Sequence, residues 1–292
     1  MAGQSPFYAS LGPGKITIVD AESRYQGTLT EIAAHWPAYV LGYGGGALLA
    51  LLLILLGSSR RLWGLVAFGL LLLLVVAYFL GMGLWAAHRR YDIPGQRPVD
   101  LFFELGRITP TSRFVHVGMG LRRTPQQMSR RLTSGRVTAL DVYNPQEAPG
   151  GALARGRLAV RPAPPDPRLH WLEATIRLFP LHDRCTSLVT MEEAAGALWQ
   201  HGDRLVLLRE VYRILRPEGR LILAQPVRTQ TAWLVSGTGA MRLEPAGYWR
   251  RLLSEVGFNL VREMEVQDLV VYFVAERPAT GEMQQLTLDL AV

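Results

Sequence analysis

Two long apolar runs without a charged residue limit what this chain can fold into. The first extends from Ala38 to Gly57 and the second from Leu62 to Ala87, with Arg60 and Arg61 between them. A helix rises 1.5 Å per residue, so about twenty such residues cross the roughly 30 Å hydrocarbon core of a bilayer. A buried helical pair inside a large soluble fold is the alternative, which the length of both runs disfavours. We therefore predict a transmembrane hairpin at residues 37–88.

The composition agrees with a membrane segment and limits the kinds of partner that the chain is expected to bind. Hydrophobic residues make up 49% of the 292 residues, and the formal net charge is +7. A positive net charge is typical of proteins that bind nucleic acid or anionic lipid, and of chains with basic residues beside a membrane span. The basic residues are dispersed, so no nucleic-acid partner is expected. Cys185 is the single cysteine, which excludes an intrachain disulfide and a CxxC metal cluster, and no metal site is predicted.

The segment after the hairpin carries a second pattern. Residues 113–117 predict a buried strand, 118–120 a glycine turn, 124–133 a helix and 136–140 a second strand, which ends at Asp141. This order is typical of the opening of a doubly wound α/β nucleotide site. Glycine lets a ligand approach the backbone, and an acid roughly 20 residues downstream meets a ribose hydroxyl. Any parallel sheet can contain such a turn, so this stretch alone leaves both interpretations open.

The remaining elements complete an α/β domain. We divide the chain into an N-terminal polar segment (1–36), the hairpin (37–88), a linker (89–101), the α/β domain (102–278) and a C-terminal tail (279–292). Further strands are predicted at 169–174, 188–190, 220–224, 258–266 and 269–275, with helices at 99–106, 203–215 and 244–256. The Pro- and Gly-rich stretch 144–168 predicts a short or distorted crossover helix.

Three short motifs resemble one enzyme family. Residues 208–223 (LREVYRILRPEGRLIL) are similar to the "E-x-x-R-V-L-K-P-G-G-x-L" segment of class I S-adenosylmethionine-dependent methyltransferases. Residues 252–258 (LLSEVGF) resemble the "LLxxAGF" segment of that family, and 178–183 (LFPLHD) resemble its "LPFPD" turn. The resemblance covers residues 102–278. It implies a doubly wound Rossmann-like methyltransferase sheet, here preceded by the transmembrane hairpin.

The resemblance also implies S-adenosylmethionine as cofactor and assigns its site. Gly118 and Gly120 would pass under the methionine part, and Asp141 would accept hydrogen bonds from both ribose hydroxyls. Val142 would pack on the adenine, and Glu173 would lie near the adenine amino group.

Three positions depart from the family pattern. His116 stands where the family has an acid, Arg122 where it has its third glycine, and Ser187 where an acid often starts the fourth strand. A neutral His116 still accepts a hydrogen bond, whereas a protonated one repels an ammonium group.

Methyl transfer needs a base only where the acceptor must lose a proton, and His201 and His182 are the candidates. The alternative for both is a surface or packing histidine. Residues 225–241 would help cover the acceptor, with Trp233 in contact either with an apolar substrate or with the protein.

The hairpin and the resemblance together predict a membrane-anchored methyltransferase acting on a lipophilic small molecule, of the quinone, isoprenoid, tetrapyrrole or lipid type. The bilayer and that acceptor are the expected partners. The flanking charges favour the two termini only slightly as the cytoplasmic side, and both termini are placed there mainly because the cofactor is cytoplasmic. The alternative is a catalytically degenerate subunit of a membrane complex, with other subunits of that complex as its partners.

Overall fold

The computed structural model of this protein describes residues 26–159 and 165–279. Most of the predicted N-terminal segment and nearly all of the tail lie outside these residues. The helices are α1 (Gln26–Pro37), α2 (Gly45–Ser59), α3 (Trp63–Tyr91), α4 (Pro98–Leu105), α5 (Arg123–Arg130), α6 (Gly151–Ala159), α7 (Ala194–Ala197), α8 (His201–Ile214), α9 (Gln230–Ser236) and α10 (Ala246–Val256). A π-helical segment (Ala38–Gly44) joins α1 to α2, and a 3-10 segment (Gly237–Arg242) follows α9. The strands are β1 (Arg113–Gly118), β2 (Arg136–Asp141), β3 (Leu169–Glu173), β4 (Thr186–Glu192), β5 (Leu215–Pro226), β6 (Asn259–Val266) and β7 (Val270–Glu276).

The two apolar runs form an antiparallel helical hairpin. Two of its helical stretches are long and apolar enough to cross a bilayer: Tyr39–Ser59 and Trp63–Tyr91. Only 11% and 6% of their most apolar windows are buried, so most of this apolar surface is not covered by the described part of the chain. A Cβ at Gly69 would lie 2.7 Å from Ile54 Cγ1 and 2.8 Å from Ala50 O, so the glycine lets the helices touch.

The strands form one sheet in the order β3-β2-β1-β4-β5-β7-β6. β1 to β5 are parallel, and β7 lies antiparallel between β5 and β6. The predicted doubly wound α/β sheet is therefore confirmed. The strand order reverses between β1 and β4, which is the switch point where ligands bind at the carboxyl ends of strands in such sheets.

Apolar helix faces cover both sides of the sheet. Leu207, Leu208 and Val211 repeat at helical spacing on α8 and are fully buried on one side, together with Trp249 of α10. Phe102 of α4 is fully buried on the other side. α10 ends at Gly257, whose φ of 100° suits glycine.

One predicted turn lies inside a strand. Residues 216–219 are predicted to be a turn before the fifth strand, yet β5 begins at Leu215 and pairs with Thr186 there. The pairing resumes only between Leu188 and Arg220, so the four intervening residues loop out of the ladder as a bulge. Glu218 has a φ of 62° within that bulge.

Ion pairs join the end of the hairpin to the carboxyl edge of the sheet. The buried carboxylate of Asp92 accepts a hydrogen bond from Thr28 Oγ1 (2.6 Å), and Arg123 Nη2 lies 3.7 Å from it. Arg90, in the last turn of α3, pairs with Glu193 just after β4. The segments on both sides of the hairpin are thereby held against the same edge of the domain.

Candidate functional site

A cleft of about 550 Å³ lies at the carboxyl ends of β2 and β3. Eight residues line it: Asp141, Tyr143, Arg157, Glu173, Ala174, Thr175, Leu178 and Pro180. The parallel register sets Gly118 beside Asp141 and Asp141 beside Glu173. The sheet thus brings together three residues that the sequence predicted for one site.

The turn after β1 requires glycine at Gly120. Its φ is 73°, which L side chains rarely adopt, and a Cβ there would collide with the guanidinium of Arg157 and with Asp141 Oδ2. The Gly118 carbonyl accepts a hydrogen bond from Val142 N (3.0 Å), which fixes the turn against the end of β2. A ligand at this edge therefore meets backbone and a carboxylate.

Arg157 of α6 fills the space between that turn and the acid. Its Nη1 donates to Asp141 Oδ1 and to Met119 O, both at 2.7 Å. The guanidinium carbon lies 4.3 Å from the centre of the Tyr143 ring. Sequence reasoning missed this residue, which lies in the stretch where only a short or distorted helix was predicted. The guanidinium in this space belongs to Arg157 and not to Arg122, the residue at the family's third glycine position.

α6 is fixed to the N-terminal flank of the hairpin. Arg155 Nε donates to Ala34 O of α1 at 2.7 Å, and Gly156 lies so close to α1 that its Cβ would be 3.5 Å from the Ala34 Cβ. The close packing of α1 on α6 holds Arg157 over the turn.

His116 is buried in β1, and its imidazole is neutral. Its Nδ1 lies 3.0 Å from Thr190 Oγ1 of β4, and the Phe102 ring meets it edge-on. Burial lowers the pKa of His116 to about 4. The imidazole is therefore uncharged at neutral pH and does not repel an ammonium group.

Three other predicted site residues lie outside the lining of the cleft. Val142 is 1% exposed and packs in the core, while the next residue, Tyr143, lines the cleft. His182 is exposed in the loop before β4. His201, at the start of α8, has its Nδ1 2.9 Å from Tyr248 Oη and its Nε2 3.6 Å from Glu255.

Glu192 is a further acidic residue at the switch point, and sequence reasoning missed it. It ends β4, one position after Met191, which pairs with Val117 in the register of β1 and β4. Its Oε2 accepts a hydrogen bond from Thr124 Oγ1 at 2.5 Å, and burial raises the pKa of its carboxyl. The only available signal was its position at the end of an apolar strand.

The most recognisable sequence motifs have a structural role. Glu210 and Arg213 of α8 form an ion pair at 2.8 Å. Glu210 Oε2 also accepts from Phe179 N, and Arg213 donates to the carbonyls of Phe179 and Leu181. Two of the three motifs therefore hold each other in place below the cleft.

A comparison with protein families decides what kind of domain surrounds this cleft. Residues 115–223, from β1 to β5, match the model of a methyltransferase domain family, Methyltransf_11. This part of the chain is therefore similar to a methyltransferase domain family. The match supports S-adenosylmethionine as its cofactor, as the sequence resemblance implied. No curated protein matches the chain's sequence.

Solved methyltransferase structures resemble part of the chain. A SAM-dependent methyltransferase from Aquifex aeolicus is 18% identical, with a TM-score of 0.48 over 64% of this chain and 94% of that one. A SAM-dependent methyltransferase from Methanosarcina mazei is 13% identical, with a TM-score of 0.45 over 63% and 98%. A complex of the Haloferax volcanii Trm112 methyltransferase activator with a methyltransferase gives 15% identity and a TM-score of 0.47 over 69% and 93%.

The cleft contains groups that suit S-adenosylmethionine, but an arginine side chain lies among them. A carboxylate at Asp141 has two acceptor oxygens for a ribose diol, and Gly120 leaves its backbone open to a ligand. The Arg157 guanidinium lies between them. A ligand that contacts both Asp141 and the Gly120 backbone therefore requires Arg157 to leave Asp141.

Proposed function

We propose that this chain is a membrane-anchored S-adenosylmethionine-dependent methyltransferase whose acceptor is a lipophilic small molecule of the quinone, isoprenoid, tetrapyrrole or lipid type. One observation carries the proposal. The last turn of the apolar helix α3 is paired with Glu193, directly after β4, at the edge of the sheet where the cleft opens. A hairpin in the bilayer would thus hold the site at the lipid surface.

The topology supports a single side of the membrane for the domain and the N-terminal flank. α1 precedes the hairpin, yet it packs on α6 and on the end of α3. Both ends of the hairpin therefore lie next to the domain. Because S-adenosylmethionine is a cytoplasmic cofactor, we place this side in the cytoplasm.

The proposed roles of the residues follow their positions. Asp141 accepts hydrogen bonds from the ribose hydroxyls, Glu173 faces the adenine end, and Gly118 and Gly120 leave room for the methionine part. S-adenosylmethionine supplies an electrophilic methyl group, while the protein aligns the acceptor and excludes water. Where the acceptor must lose a proton, Glu192 lies at the switch point and is better placed than the exposed His201.

A cofactor titration tests the proposal. The full-length protein in lipid nanodiscs is titrated with S-adenosylmethionine, together with the variants Asp141→Ala and Asp183→Ala. Both substitutions remove one carboxylate, but Asp183 is exposed and lies outside the cleft lining. We expect Asp141→Ala to lose binding and Asp183→Ala to keep it. The same preparation should transfer a labelled methyl group to a component of a lipid extract.

The position of Arg157 favours one alternative, a degenerate methyltransferase domain that serves as a subunit of a membrane complex. The ion pair with Asp141 then replaces the cofactor permanently. This alternative predicts no cofactor binding by the wild type or by Arg157→Ala, and co-purification with a large complex in mild detergent. Cofactor binding by either protein would contradict it.

A further inference from the structure

The segment after β5 packs against the membrane hairpin. This segment, called here the lid segment, comprises α9 and the 3-10 turn (Gln230–Arg242). A Cβ at Gly237 would lie 3.4 Å from Phe79 Cε1 and 3.6 Å from Phe79 Cζ, so the lid backbone contacts the ring. Phe79 belongs to the apolar helix α3. The contact therefore joins a loop of the methyltransferase domain to the membrane span.

The length of α3 fixes the depth of this contact. The hairpin loop contains Arg60 and Arg61, so the far membrane surface lies near Trp63. About twenty residues at 1.5 Å each cross the hydrocarbon core, which places the near surface in the region of Met82. Phe79 then lies about one helical turn inside that surface. The lid segment is consequently at the depth of the headgroups and the outermost acyl carbons.

The residues of the lid segment suit that depth. Its exposed side chains include Trp233 (42% exposed), Leu234 (55%) and Met241 (65%). No charged residue occurs from Thr229 to Met241, and Arg228 and Arg242 flank this uncharged run. Apolar residues with a tryptophan on one face, flanked by arginines that reach the phosphates, are typical of interfacial elements.

The polar end of the lid segment is fixed to the domain. Thr229 Oγ1 donates to Asp268 O at 2.5 Å in the turn between β6 and β7, and it accepts from Ala232 N. The first turn of α9 is thereby held at the carboxyl edge of the sheet. The exposed apolar residues follow on the side of α3.

We propose that the lid segment is an interfacial membrane element whose partner is the lipid of the bilayer, and that the acceptor enters the methyltransferase site between this segment and α3. The inference rests on the membrane hairpin of the proposed function. It adds that the domain itself inserts in the interface, so the acceptor does not need to leave the lipid before it reacts.

Site-specific labels test the depth of the lid segment. Cys185→Ser removes the single cysteine, and Leu71→Cys, Leu234→Cys and Val261→Cys are introduced one at a time. Leu71 lies in the middle of the apolar helix α3. Val261 is exposed near the start of β6, away from the carboxyl edge of the sheet where the lid segment is held. Each purified protein carries an environment-sensitive fluorophore in phosphatidylcholine–phosphatidylglycerol vesicles. Quenching by a spin-labelled lipid is compared with quenching by aqueous iodide.

The three positions separate the outcomes. We expect the lipid quencher to act several-fold more strongly at Leu71 and Leu234 than at Val261, with iodide in the reverse order. A label at Leu234 that behaves like Val261 while Leu71 stays in lipid overturns the inference and leaves the membrane anchor intact. Iodide access at Leu71 as well overturns both. Met241→Cys repeats the measurement at a second exposed lid position, in case Leu234→Cys fails to fold.

Discussion

Removing the Arg157 side chain should strengthen cofactor binding. The guanidinium lies where the ribose of S-adenosylmethionine is expected, so the cofactor competes with an internal ligand. Three contacts are lost when Arg157 leaves: the ion pair with Asp141, the hydrogen bond to Met119 O and the contact with the Tyr143 ring. Arg157→Ala removes these contacts before the cofactor arrives.

The size of the effect follows from the exposure of the pair. The Arg157 and Asp141 side chains are 28% and 18% exposed, so solvent weakens the ion pair to about 1 kcal/mol. The hydrogen bond and the ring contact add about 0.5–1 kcal/mol each. The arginine regains up to about 1 kcal/mol of side-chain entropy when it is released. The net cost of about 1–2 kcal/mol corresponds to a roughly 5- to 30-fold lower Kd for the variant.

Calorimetric titration with S-adenosylmethionine in nanodiscs measures this change. Arg209→Ala is the matched control because it removes the same charge from an exposed position on α8. Arg157→Lys keeps the charge but loses the planar fork, so its Kd should lie between those of the wild type and Arg157→Ala. Unchanged or weaker binding by a folded Arg157→Ala protein would refute the idea that the guanidinium competes with the cofactor.

Two further predictions concern stability. Because burial lowers the pKa of His116 to about 4, the unfolded chain takes up a proton near pH 6.5 while the folded chain does not. The free energy of unfolding should fall by about 3 kcal/mol between pH 7 and pH 4 from this group, and denaturant titrations of His116→Asn should lack that part of the slope. Asp92→Ala removes the buried carboxylate that contacts both Arg123 and Thr28, and it should lower the stability of the junction by about 3 kcal/mol. Asp203→Ala, which removes a more exposed ion pair of the same length with Arg177, is its control, and faster proteolysis of the linker at residues 92–98 is the measurement.

The sequence was sufficient for features that arise from local periodicity and composition. Two uncharged runs of membrane length predicted the hairpin, and the strand–glycine–helix–strand order predicted β1, α5 and β2 close to their observed bounds. Gly118, Asp141 and Glu173 follow from that pattern and the resemblance because strand ends in a parallel sheet meet at one edge. The motif at Glu210 and Arg213 marked the family, although its side chains serve packing.

Contacts between distant segments needed the tertiary structure. Val142 was expected on the adenine; its side chain is buried in the core, and the next residue, Tyr143, lines the cleft. Glu192 lies beside the glycine turn only because β4 pairs with β1. The burial of Val142 depends on how the chain packs after β2, and the position of Glu192 depends on which strand pairs with β4. The local sequence fixes neither.

The chain alone therefore determined that an apolar hairpin precedes a methyltransferase sheet, since burial and periodicity act over a few neighbouring residues. Only the tertiary structure decided that Arg157 pairs with Asp141 beside the glycine turn and that the lid segment contacts Phe79. The first depends on α6 packing against α1, and the second on the segment after β5 packing against α3. Each of these two packing contacts joins residues more than a hundred positions apart in the sequence. Local sequence preferences cannot predict a contact between residues that far apart.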